Sequence, residues 1–150
     1  MAKINKEEEE LRKLSVEMRF LEQTAEALQQ RISMMNAVMT DLTYANMTLE
    51  DVEKEKEGAE LLVPIGGNSY VKAKLANPDK VVVGMGAGVS VEKTLQEARA
   101  IVKERLDELE KTMSVAQQQF AQIADRINVD RDRLESLLAK VREGKTSGDV

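Results

Sequence analysis

Carboxylates are the commonest side chains in this chain that could act on another molecule. There are 27 Asp and Glu against 22 Lys and Arg, with no His and no Cys. Without Cys there is no thiolate nucleophile, disulfide framework or Cys zinc site. Without His the commonest general base and metal ligand is missing. What remains for acid–base work or for Mg²⁺ is a set of carboxylates converging in a cleft. The Asp and Glu residues instead lie scattered along segments of helical periodicity, so a solvated face is the better reading and no metal site is expected. Glu7 to Glu10 suit a helix N-terminus, where carboxylates meet the positive end of the dipole. Gly84-Met85-Gly86-Ala87-Gly88 has the glycine density of a phosphate loop. It is not G-x-G-x-x-G, because its sixth position is Val89, and it lacks the Gly-Lys-Ser/Thr ending of a P-loop. A strand pattern, not a helix, follows it. These are turn glycines, no cofactor is expected, and the chain does not read as an enzyme.

The elements that carry these residues are legible from spacing. Apolar side chains recur at alternating intervals of three and four from Leu11 through Leu14, Met18, Leu21, Ala25, Leu28, Ile32, Met35, Met39 and Leu42, then Asn46 and Leu49. A second run goes from Val102 through Leu106, Leu109, Met113, Ala116, Phe120, Ile123 and Ile127, then Asp130, Leu134, Leu137 and Val141. That is the seam of a coiled coil. Two runs of similar length joined by one short segment fold back as an antiparallel hairpin. At ~1.5 Å per residue, helices of about 45–50 residues are roughly 70 Å long. Pairing Leu49 with Val102 and Leu11 with Val141 sets Asp130 near Leu21, where a charged seam residue should loosen the coil. Asn46 is a second polar seam residue, able to fix register at some cost in stability.

The composition agrees. Of 150 residues, 33% are charged and 3% aromatic, with no Trp, which leaves few large side chains for a three-dimensional core. The net charge of −5, with Lys and Arg interspersed, offers no basic face to nucleic acid. Neither end has an apolar stretch long enough for a signal peptide or a membrane span, so a cytoplasmic protein is expected.

Residues 58–93 read differently. Leu61-Leu62-Val63-Pro64-Ile65 is a short strand, Gly66-Gly67-Asn68 a turn, and Ser69 to Leu75 an alternating strand. Asn77-Pro78-Asp79 is a second turn. Lys80 to Gly84 and Val89 to Lys93 are strands on either side of the glycine cluster. The simplest pairing is two β-hairpins. The expected bounds are therefore 7–57 for the first helix, 58–93 for the hairpins, 94–143 for the second helix and 144–150 for a disordered tail. Thr94-Leu95-Gln96-Glu97 matches a capping box at the second helix's start, and Gly144 is its expected stop.

The strands carry more apolar surface than two isolated hairpins can hide: Leu61, Leu62, Val63, Ile65, Val71, Val81, Val82, Val83, Val89 and Val91, with Tyr70 beside them. Lone hairpins are marginal and their open edges invite pairing. Assembly of several chains edge to edge into a barrel is the inference; the alternative is that the hairpins fold back onto their own helices. Outside the seam, Val16, Phe20, Ala27, Met34 and Val38 on the first helix, and Val115, Val129 and Leu138 on the second, add apolar groups that a two-stranded coil does not need. Read singly they are ordinary surface residues; as a group they suggest a protein-binding surface.

The order helix, two β-hairpins, helix resembles the α-type prefoldin subunit. Leu62-Val63-Pro64-Ile65-Gly66-Gly67-Asn68-Ser69-Tyr70-Val71-Lys72 and Val83-Gly84-Met85-Gly86-Ala87-Gly88-Val89-Ser90-Val91-Glu92-Lys93-Thr94 are similar to the two hairpin signatures of archaeal α-type prefoldins. The resemblance implies a mainly α fold in which an antiparallel coiled coil is joined by two hairpins that assemble into an intersubunit β-barrel. It implies an ATP-independent co-chaperone, a holdase whose two α and four β subunits form a hexamer. The coil tips of that hexamer grip unfolded clients and pass them to a group II chaperonin. Carried onto this chain, the strand apolars above form the assembly region, and Leu11, Leu14, Val16, Phe20, Leu134, Leu137, Leu138 and Val141 form the client-binding tips. The same signatures fit a relative that self-assembles into longer arrays. The rival reading from another class is a structural scaffold or filament in which the coil only sets distance.

Overall fold

The computed structural model describes residues 2–148, with side-chain placement over 6–144. Its elements are α1 (Ala2–Glu53), β1 (Glu60–Gly66), β2 (Ser69–Lys74), β3 (Lys80–Gly86), β4 (Val89–Thr94) and α2 (Leu95–Gly148). Met1, Asp149 and Val150 lie outside the described residues, and with them the end of the expected tail.

α1 is 52 residues long and α2 54. α1 begins at Ala2, ahead of the expected Glu7, and ends at Glu53, short of Gly58. Its last carbonyls are taken by tight-turn bonds, Lys54 N–H to Asp51 O and Glu55 N–H to Val52 O. α2 runs through Gly144, the expected stop, to Gly148. A lone glycine at a helix end costs about 1 kcal/mol against Ala and does not by itself force a stop. The start of α2 follows the sequence more closely. Thr94 Oγ1 accepts the Glu97 backbone N–H at 3.1 Å, one half of the capping box. The Glu97 carboxylate lies 4.0 Å from Lys93 Nζ.

The chain forms two compact units, residues 1–35 with 112–150 and residues 36–111. In the first, the seam residues Leu14, Met18, Ile32, Met35, Met113, Ala116, Ile127, Asp130 and Leu137 are buried, and the other heptad positions are half-buried. Within this unit ion pairs cross from α1 to α2, Glu17 with Arg126 and Glu10 with Arg133 among them. The α1 partner falls back as the α2 partner advances, so the two helices run antiparallel here. The pairs put Asp130 near Glu17, one helical turn before the expected Leu21. The seam stays closed around it.

The second unit holds the hairpins. Each is a separate two-stranded sheet, β1 with β2 and β3 with β4. The second repeats the first: Val63 faces Val71 as Val83 faces Val91, and the register shifts between Pro64 and Gly66 as it does between Gly84 and Gly86. Both turns have two central residues at positive φ, Gly67 and Asn68 in one and Ala87 and Gly88 in the other. That is the twist a tight hairpin requires. The Asn77 side chain accepts the Asp79 N–H at 2.9 Å, the Asx turn expected there. A core of Leu49, Leu95, Ala98 and Val102 from the helices closes over Val83, with Leu42, Ala45, Val52, Val81, Ile101 and Leu106 around it.

Candidate functional site

Cross-strand partners in an antiparallel pair share a face. In the β1–β2 hairpin the register therefore puts Leu61, Val63, Val71 and Ala73 on one side, and Leu62, Pro64, Tyr70 and Lys72 on the other. Neither side is covered by the chain itself: Leu62, Val63, Ile65, Tyr70 and Val71 are all exposed. Leu61 is half-buried. The β3–β4 hairpin differs. Its equivalent apolar side, Val81 and Val83, sits on the helices of the same unit, leaving Val83 8% exposed. Val82 points the other way and is 70% exposed, and Val89 and Val91 are also open. So of the strand apolars expected to serve assembly, Val83 is used inside the chain and Leu61 and Val81 are half-buried. The rest remain available.

Arg105 fixes this second hairpin. Its Nη2 donates to the Gly84 carbonyl at 2.9 Å, tying β3 to α2 where the register shifts. Met85 lies inside that irregularity and is exposed. Neither residue stands out in the sequence. A lone Arg among 22 cations carries no signal, and Met85 is hidden in a glycine cluster that reads only as a turn.

In the other unit the residues expected to grip clients divide into three groups. Val16, Phe20 and Leu138 are exposed, Val16 and Phe20 at 68% and 67%. Leu14 and Leu137 are buried seam residues at 7% and 6%. Leu11, Leu134 and Val141 are half-buried. The heptad rule separates these groups: Leu14 and Leu137 sit at seam positions, whereas Val16, Phe20 and Leu138 do not. Exposed Met34, Val115 and Val129 extend the apolar surface on the same unit.

One seam residue is charged. Asp130 is 4% exposed, its Oδ1 is 3.8 Å from Arg126 Nε, and its Oδ2 has no hydrogen-bond donor. Burial holds its carboxyl above the ordinary value, the charge of Glu17 and a hydrogen bond to it push the same way, and Arg126 and Arg133 pull against them.

No helix among the described residues is long and apolar enough to cross a membrane. The carboxylates of the helices form no group of three or more able to hold a metal ion among the described residues.

Comparison with known proteins agrees with this layout. The family model for prefoldin subunits matches residues 21–140. The chain is 34% identical to the prefoldin subunit alpha of Methanococcoides burtonii over 120 residues, 80% of this chain and 87% of that protein. It is 34% identical to the Methanosarcina mazei alpha subunit, covering 91% and 96%, and 33% identical to that of Pyrococcus horikoshii, covering 85% and 84%. Among solved structures it is similar to a filamentous PFD from Methanocaldococcus jannaschii, with a TM-score of 0.64 and 28% identity over 74% of this chain and 92% of that one. The paired hairpins between two heptad helices, and relatives of this extent, show that the chain belongs to the prefoldin family, where it is similar to the alpha subunits.

Proposed function

We propose that this chain is the α-type subunit of an ATP-independent holdase, which captures non-native proteins on its coiled coil and passes them to a group II chaperonin in the cytoplasm. The observation that carries this reading is a satisfied seam with unused apolar groups beside it. Leu14, Met18, Ile127 and Leu137 close the coil, while Val16, Phe20 and Leu138 remain open on its outside. An unfolded client offers apolar segments of its own, and each contact gains about 25 cal/mol per Å² buried. Such contacts are individually small, which suits capture followed by release.

Assembly follows from the hairpins. The bare faces of β1–β2 and the exposed Val82, Val89 and Val91 would be covered by other subunits, two α with four β in the family's hexamer. Several coils on one platform add avidity through high effective concentration. No step requires a nucleotide or a metal. A second reading has a specific observation behind it: a filamentous relative is among the similar structures. In that reading copies of this chain join through the same hairpin surfaces into a longer array.

The test is light scattering of an aggregating client diluted from denaturant, without nucleotide, with complex mass measured in parallel. Suppression by this chain only with a β-type subunit is the expected result. Suppression by large assemblies of this chain alone selects the self-assembling form. A well-formed complex that fails to suppress aggregation overturns the holdase reading in favour of a scaffold.

A further inference from the structure

Asp130 is the one buried charged side chain among the described residues, and its surroundings leave it poorly compensated. From α2 its neighbours in charge are Arg126 and Arg133; from α1 the facing group is Glu17. Both arginines are engaged elsewhere. Arg126 Nη2 holds Glu17 Oε1 at 2.8 Å, and Arg133 pairs with Glu10. The nearest cation contact to Asp130 is therefore Arg126 Nε at 3.8 Å, beyond hydrogen-bond reach, and Oδ2 has none. Across the seam the same Arg126 guanidinium that approaches Asp130 holds the Glu17 carboxylate.

We propose that Asp130, set beside the Glu17 carboxylate, is a pH-responsive latch in the seam of this unit, closed while Asp130 carries a proton and loosened when it ionises. Two carboxylates at one site resist joint ionisation, and a buried ion without partners weakens the contact that buries it. The direction follows from linkage. The ordinary value for Asp130 is 3.8, and in the fold it is raised. The folded state thus keeps the proton to higher pH than the unfolded chain does. The contribution is fully present below 3.8 and is lost as pH rises through the folded value. Loosening would free Leu14 and Met18 on α1 and Ile127 on α2, the buried seam residues next to the pair along each helix. Their use in client capture rests on the holdase reading; the latch itself does not.

Amide hydrogen exchange on the assembled protein tests it, read over residues 14–21 and 127–134 from below 3.8, the ordinary value for Asp130, up to pH 8 and corrected for the intrinsic rate. Protection in the wild type should fall with rising pH by about tenfold, the scale set by one buried polar group left unsatisfied. Asp130→Asn, which cannot ionise, should be flat across the range and better protected at pH 8. Glu17→Gln should move the wild-type transition to lower pH. Flat wild-type exchange, or the same slope in Asp130→Asn, overturns the latch. An unmoved transition in Glu17→Gln overturns the pairing and covers the case in which Asp130→Asn fails to fold. A client assay run alongside separates the two readings. Normal pH dependence of exchange without client protection removes the holdase and leaves the latch, whereas flat exchange removes the latch whatever the client result.

Discussion

Ala87 occupies a place that its side chain does not favour. It holds φ 52°, in the left-handed region, where the equivalent position of the first hairpin is filled by Gly67 at φ 56°. A Cβ in that region costs on the order of 1–2 kcal/mol, which Asn offsets in part because its side chain can bond locally. The turn would then read Asn-Gly, the pair most favoured for two central residues at positive φ. Ala87→Asn should therefore raise the stability of the hairpin by about 1 kcal/mol. A higher thermal midpoint at matched protein concentration is the expected outcome. Thr94 gives the opposite case. Its Oγ1 satisfies the Glu97 N–H at the start of α2, so Thr94→Ala should cost about 1 kcal/mol. A thermal midpoint that does not fall would show that a neighbouring group or water takes over the cap.

At the scale of the elements, the seam and its outer flank should answer differently to mutation. Leu14 and Leu137 are buried where α1 and α2 meet. Truncating either to Ala removes packed methyl groups and leaves a cavity, a loss of about 2–5 kcal/mol. Circular dichroism should report a lower melting temperature for both. Val16→Ser with Phe20→Ser should leave the melt nearly unchanged, because both side chains are already solvated. The same double change should lower client protection in the light-scattering assay. If protection survives it intact, the outer face of α1 is not the grip. Leu137→Ser would confound the two effects, since it breaks the seam as well as altering the surface. This division was legible in the sequence, because heptad spacing assigns Leu14 and Leu137 to the seam and leaves Val16 and Phe20 outside it. The hairpins and their turns were legible too, from Gly67-Asn68 and from the alternation of Ser69 to Leu75. What spacing does not carry is the choice between surfaces of equal apolarity. Val63 and Val83 stand at matching points of two similar hairpins, yet only Val83 finds its own helices beneath it. The offset between the helices was equally hidden. Heptads repeat, so a shift of one repeat preserves the pattern, and charged pairs such as Glu17–Arg126 and Glu10–Arg133 mark the register that sets Asp130 near Glu17.

For the whole molecule the decisive question is what covers the strands. A chain with a closed seam and a filled helix core still leaves Val63 and Val71 bare on one side of the first hairpin, and Val82 bare on the outer side of the second. An isolated two-stranded hairpin is marginal in water, so each is expected to gain its stability from a neighbouring subunit. Val63→Asp and Val82→Asp place a charge on each surface without touching the helix core of Leu49, Leu95, Ala98 and Val102. A carboxylate at a buried interface has no partner there and costs several kcal/mol, enough to dissolve a contact made of many small apolar gains. Both variants should keep their helical circular dichroism and lose oligomer mass in light scattering. If only Val63→Asp dissociates, the first hairpin alone joins the subunits and the second serves mainly to seat on α1 and α2. An unchanged mass for both would mean that the bare strands are not the joint, and the barrel would have to be abandoned. Client protection should fall with oligomer mass in either variant even though Val16 and Phe20 are untouched. In the holdase reading the grip is the sum of several coils, which depends on the platform that keeps them at high effective concentration.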